Sequence, residues 1–222
     1  MGNDRQINII GVSDPFVFEL LDVASALGLH PRLVAAHQLG ASSAPIAAEK
    51  FEFTEFSSLR HDSIIFTGAD QIPRPDTGFS PRQVLATLAG LIALQERRGL
   101  SNWVNLIHPM AWVSPTTKLG TDLYVGANSS IGANSSIGSH CRINRNVSIG
   151  HDVSIGTGTE IAPCSAISSG SIVDSWCYIG AGSVVLNDIT IGQGAVVGAG
   201  SVVTRDVPAG VTVIGSPAKI WA

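Results

Sequence analysis

Little in this sequence is charged, aromatic or built for a membrane. Asp, Glu, Lys and Arg make up only 14% of the 222 residues, the net charge is -4, and lysine and arginine form no run. The electrostatic footprint of a nucleic-acid binder is therefore missing. The longest apolar stretches fall far short of the length that spans a bilayer. The opening MGNDRQINIIG is polar and then strand-like, unlike the charged start and long apolar core of a signal peptide. These absences point to a soluble cytoplasmic protein. Cysteine is scarce too. Cys141, Cys164 and Cys177 are odd in number and lack metal-ligand spacing, which suits small buried side chains in a reducing compartment better than disulfides. A chain this long holds one large domain or two small ones, and two are expected.

What the sequence does have is glycine, 24 residues crowded toward the second half, and a strict period. From Val113 to Val203 every sixth residue is aliphatic, sixteen positions without a slip. A period of six fits neither an amphipathic helix nor a plain alternating strand; it is the hexapeptide repeat of a parallel β-helix, a β solenoid. Glycine follows the aliphatic (position i) at nine of the sixteen steps, which suits a chain turning a corner. Four residues past each aliphatic, most repeats carry a small or β-branched side chain, from Thr117 through Ser135 and Cys141 to Val207. Residues i-2 to i thus form a short strand facing in, out, in, and i+1 to i+3 form the corner.

Three such edges close a coil of eighteen residues, so residues eighteen apart are vertical neighbours. Stacked at about 4.8 Å, the coils make a prism roughly 25 Å long. The unbroken register predicts that no loop leaves the prism over 113–207. Residues 208–222, "PAGVTVIGSPAKIWA", are expected to leave the register and cover its open end.

Residues 1–100 read as a small α/β unit of Rossmann-like character. Residues 6–11, 32–36 and 63–68 are short strands. Phe16 to Leu27 and Pro81 to Arg98 have helical spacing, the first opening after a Ser13-Asp14-Pro15 cap. Gln71 to Ser80, with proline at 73 and 75, is a loop, and 101–112 joins the unit to the prism over 113–207.

Within the prism, "IGHDVSIG" places His151 at i+2 and Asp152 at i+3 on an outward corner. A solvated corner accounts for a lone histidine. An adjacent acid able to orient a ring nitrogen argues instead for a general base. One coil above, the Ser169 backbone N–H is placed to receive the oxyanion of an attacked carbonyl. On the next corner the column Arg145, Pro163, Ala181, Ala199, with Gly182 and Gly200 alongside, forms a smooth strip along which a thin extended ligand could lie.

These features resemble the hexapeptide-repeat acyltransferases, within them the bacterial sugar O-/N-acetyltransferases, a branch that includes sialic acid O-acetyltransferases and nucleotide-aminosugar N-acetyltransferases. The resemblance rests on the junction "NLIHPMAWVS", "IGHDVSIG", "IGAGSVVLNDITIGQGAVVGAGSVVTRDVP" and "GSPAK". It implies a left-handed β-helix that forms a homotrimer, with acetyl-CoA between subunits and no metal or covalent acyl-enzyme. By the same resemblance His151 is the catalytic base, Asp152 orients it, Ser169 meets the acetyl carbonyl, and Ala181 and Ala199 line the pantetheine path. Glu160 stands where the family often has a second histidine near the acetyl donor. Gly11, Ser13, His37 and Gly68 fall on the acceptor side.

The family's glycine-rich phosphate loop is reduced here to Gly11-Val12-Ser13-Asp14-Pro15-Phe16, in which Asp14 would repel a diphosphate. Three readings therefore stand together: an acetyltransferase on a sugar or nucleotide-linked sugar, one on a non-nucleotide acceptor, and a non-catalytic trimeric scaffold. A zinc enzyme resembling the γ-type carbonic anhydrases needs three histidines, and the prism holds only His140 and His151. His30, His61 and His108 fall on loops or strand ends.

Overall fold

The computed structural model describes residues 6–11, 26–27, 30–35, 49–50, 63–66 and 103–221. Contacts divide the chain into two compact units, Met1–Leu106 and Ile107–Ala222.

Among the described residues of the first unit are the strands β1 (Gln6–Gly11), β2 (His30–Ala35), β3 (Glu49–Lys50) and β4 (Ser63–Phe66). They pair in parallel in the order β3-β2-β1-β4. The short β3 had no signal in the hydrophobic pattern. The expected helix over 81–98, nearly all of that over 16–27, and the proline-containing loop lie outside the described residues.

From Leu106 onward the chain is a parallel β-solenoid whose strands fall on three faces, of six, five and eight strands. One coil runs through Ser148–Ile149 on the six-stranded face, Ser154–Ile155 on the five-stranded face and Glu160–Ile161 on the eight-stranded face. Partners in the next coil are eighteen residues on, as in Ile149↔Ile167 and Ile155↔Val173. The aliphatic positions Ile131, Ile143, Ile161 and Ile179 are fully buried.

The other inward position, i+4, explains its small polar residues. Ser135 Oγ donates to the Gly150 carbonyl at 2.9 Å and accepts from the Val153 N–H at 3.1 Å. Ser165, Ser171 and Ser183 donate in the same way to a corner carbonyl of the next coil. The hydroxyls thus satisfy backbone groups at each turn that would otherwise be buried and unpaired. Cys141 and Cys177 take this place as well, and burial pushes their thiols up to about 12 and about 11. Cys164, by contrast, is exposed on a corner, so the expectation of buried cysteines holds for two of the three.

Two expectations about the corner change. The glycines at i+1 do not supply an unusual backbone angle; the left-handed residue is i+3, at all fourteen positions from Asp122 to Gly200. Glycine at i+1 is there because the next coil lies against it: a Cβ on Gly126 would sit 2.6 Å from the Arg145 nitrogen. The register also slips once. Ile191 bridges Val207, and Val196-Val197 pair with Thr212-Val213, sixteen residues on.

Val207 therefore takes the inward place that an eighteen-residue step assigns to Ala209, which buries a larger apolar side chain. The Asp206 carboxylate accepts the Thr190 N–H at 2.8 Å in the shortened corner. The hexad then resumes through Val213, with Gly210 left-handed three residues after Val207. The tail thus continues the coil as Thr212–Ile214 before Lys219–Ile220 returns antiparallel.

Candidate active site

Ser148–Ile149 leads into the corner Gly150-His151-Asp152, on the edge between the six- and five-stranded faces. Gly150 is clamped, its N–H donating to the Ile167 carbonyl at 2.8 Å and its carbonyl accepting from Ser135. A Cβ here would fall 2.6 Å from Ser169 Oγ, so glycine lets the next coil close over the corner. Asp152 follows at φ 57°, and its N–H donates to the Ala133 carbonyl at 2.9 Å.

His151 Nδ1 lies 2.6 Å from Asp152 Oδ2, and the two side chains are 67% and 51% exposed. The pair faces solvent, so Nε2 is the ring nitrogen left for a substrate. The carboxyl is held below its ordinary range, first by the Asn134 side-chain amide and then by His151. An ionised Asp152 in this place fixes the orientation of the ring.

One coil above, Gly170 donates its N–H to the His151 carbonyl at 3.1 Å, and the Ser169 carbonyl accepts from Asp188. The Ser169 N–H meets no acceptor among the described residues. Asp188 extends a carboxylate oxygen into the space over Gly170, the place a Cβ there would fill.

Ala181 and Ala199 lie on a different edge, between the eight- and six-stranded faces. Both are exposed, and a Cβ on Gly182 or Gly200 would meet nothing within 4 Å. The Gly200 N–H bonds the Ala181 carbonyl at 2.8 Å. Glu160 is buried on the eight-stranded face, which lies opposite the His151 edge in a three-sided coil, with Arg142 and Tyr178 as its register neighbours.

One chain therefore brings His151, Asp152 and Ser169 together and holds Glu160, Ala181 and Ala199 apart from them. Gly11 ends β1 opposite Ala35. Ser13, His37 and Gly68 lie outside the described residues. A second pair, His140 Nδ1 and Asp122 Oδ2 at 2.8 Å, is nearly closed to solvent on the remaining edge.

Asn134, one coil below Asp152, is the site neighbour that sequence reasoning missed; its amide donates to Asp152 Oδ1. The eighteen-residue step would have found it. That step runs through i+3 as well as i+2, and the i+3 column sets Asn134 one coil below Asp152 and Asp188 two coils above it.

A family model of the bacterial transferase hexapeptide (six repeats) matches residues 134–169 and 170–205. Residues 134–205 thus carry the repeat of the bacterial hexapeptide transferases. Among solved structures, PerB from Caulobacter crescentus in complex with CoA and GDP-perosamine is 29% identical, with a TM-score of 0.80 over 100% of this chain and 99% of that one. A variant of perosamine N-acetyltransferase from the same organism, one histidine replaced by asparagine and the same two ligands bound, is 27% identical. Its TM-score is 0.81 over 100% of this chain and 98% of that one.

The acetyltransferase domain of PglB from Neisseria gonorrhoeae, in complex with acetyl coenzyme A, is alike in fold. It has a TM-score of 0.79 at 24% identity, over 99% of this chain and 100% of that one. A 2,3,4,5-tetrahydropyridine-2,6-dicarboxylate N-acetyltransferase of Clostridium perfringens is 45% identical over 49 residues, 22% of this chain and 21% of that relative. The chain thus matches about a fifth of the length of its curated relatives.

Proposed function

We propose that this hexapeptide-repeat protein transfers an acetyl group from acetyl-CoA to an amine or hydroxyl of a sugar or nucleotide-linked sugar, with His151 as general base. The carrying observation is the His151–Asp152 contact on an exposed corner of the repeat. It is supported by likeness over the full chain to structures that hold CoA and GDP-perosamine. His151 Nε2 takes the proton as the acceptor attacks the thioester carbonyl. Asp152 holds the ring, and the Ser169 N–H, which has no acceptor among the described residues, receives the oxyanion. The thiolate of CoA then leaves, and a thioester needs no further activation.

In this reading the coil is left-handed and three chains form a homotrimer with the sites between subunits. Ala181 and Ala199 of one protomer then line the pantetheine path toward a neighbour's His151, which accounts for their separation in a single chain. Glu160 lies on the donor side. Residues 1–100 form a Rossmann-like acceptor domain in which Gly11, Ser13, His37 and Gly68 contact the acceptor, 101–112 is the junction, 113–207 the β-helix and 208–222 the cap. The parallel order β3-β2-β1-β4 supports that assignment. The enzyme works in the cytoplasm, where Cys164 stays reduced. Among the described residues, no helix is long and apolar enough to cross a membrane.

CoA release is to be measured with acetyl-CoA and a panel of GDP- and UDP-linked aminosugars and their free sugars. The His151→Ala variant should lose about a hundredfold or more in kcat while keeping its fold; full activity in that variant refutes the assigned base. The scaffold alternative gains if calorimetry detects no acetyl-CoA binding.

A further inference from the structure

We infer that Asn134 is a positioning residue, an amide one coil below the site that locks the Asp152 carboxylate and through it the His151 ring. The inference rests on His151 acting as the base. Asp152 is half exposed, and a carboxylate in that setting is free to turn toward water unless both oxygens are engaged. Oδ2 faces His151 Nδ1, and Oδ1 accepts from Asn134 Nδ2.

Asn134 is itself fixed. Its N–H donates to Thr116 Oγ1 at 2.9 Å, and that hydroxyl lies 3.0 Å from Ser114 Oγ. A polar ladder therefore climbs the edge from Ser114 through Thr116 and Asn134 to Asp152, ending at His151. The depressed titration of Asp152, with Asn134 as its largest cause, agrees with this geometry.

Asparagine also suits position 134 for a second reason, because φ there is 60° and asparagine tolerates the left-handed region. Glycine separates the two roles. It keeps the backbone, as it does at the equivalent corners of residues 158, 170, 182, 194 and 200, and removes the amide.

The test is a double-mutant cycle of Asn134→Gly with Asp152→Ala, read as kcat and KM. Asn134→Gly alone should lower kcat about tenfold, part of what a positioned base supplies, with KM for acetyl-CoA unchanged. In the Asp152→Ala background the same substitution should cost nothing further. Asn128→Gly, at the equivalent position of another corner, should leave kcat unchanged and controls for loosened backbone.

Full activity of Asn134→Gly overturns the inference, and so does a loss that adds undiminished to that of Asp152→Ala. If Asn134→Gly fails to fold, Asn134→Ser, which keeps a polar side chain too short to reach, replaces it in the same cycle. His151→Ala is measured alongside. If it remains active, the reading of the base has failed; if it is inactive while Asn134→Gly is not, only the role of Asn134 has.

Discussion

Left-handed backbone at i+3 decides which side chains are adjacent at the site. Non-glycine residues hold that conformation at nine corners, and six of the nine are Asn or Asp, whose short polar side chains tolerate it. The coil thus sets an acid or amide beside the i+2 side chain as a by-product of turning. A histidine at i+2 makes that by-product a dyad. Because Asn134 and then His151 stabilise the charged form of Asp152, its folded pKa lies below the unfolded one. The linked stability is present above the ordinary carboxylate pKa of about 3.9 and is lost as pH falls through the folded value. Carbon-13 NMR titration of the Asp152 carboxyl should give a midpoint below 3.8, rising toward that value in Asn134→Gly. A midpoint unmoved by that substitution would contradict the contact.

At the scale of the six-residue element, glycine has two different tasks. At i+3 it relieves a backbone conformation, and on Gly182 or Gly200 a Cβ would meet open space. At i+1 the angles are ordinary and space is lacking, since the atoms in the way are backbone of the next coil, as with the Arg145 nitrogen over Gly126. At Gly126 a methyl must push the two coils apart, and main chain held on both sides by ladder bonds gives way poorly. Gly126→Ala should therefore destabilise by about 1–3 kcal/mol, read as a lower melting temperature, while Asn128→Gly two residues on should stay close to wild type. Equal melting temperatures for Gly126→Ala and wild type would remove the close-approach argument.

The aliphatic period was legible because burial of position i is set by sequence-local alternation, and it recovered the coil, its eighteen-residue step and the His151 corner. The purpose of glycine at i+1 was not, because the obstacle belongs to a residue nineteen positions away. The Ser135 bonds and the Asn134 contact escaped for the same reason: each spans two coils, and each concerns a polar group whose partner the hydrophobic pattern does not mark.

For the whole molecule, a solenoid leaves its last coil with inward side chains and ladder groups that nothing above covers. Here the chain closes the end with its own continuation. Val213 is buried over Val197, its carbonyl accepts the Gly198 N–H at 2.8 Å, and the Gly215 carbonyl accepts the Val202 N–H at 2.9 Å. Lys219–Ile220 then pairs antiparallel with the last strand, leaving Ile220 and Trp221 mostly exposed.

The exposed pair contributes little burial, whereas a buried valine contributes about 1.5–3 kcal/mol. The cap's stabilising work therefore sits in 209–214 rather than at the extreme end. Deleting 209–222 should lower the melting temperature markedly and promote association through the bared strand edge, seen as larger species by light scattering. The double substitution Ile220→Ala and Trp221→Ala should leave both measurements near wild type. A truncated chain that melts and elutes like the full one would mean that Val207 and the Asp206 contact close the coil without help, and that the slip in register, not the tail, ends the prism.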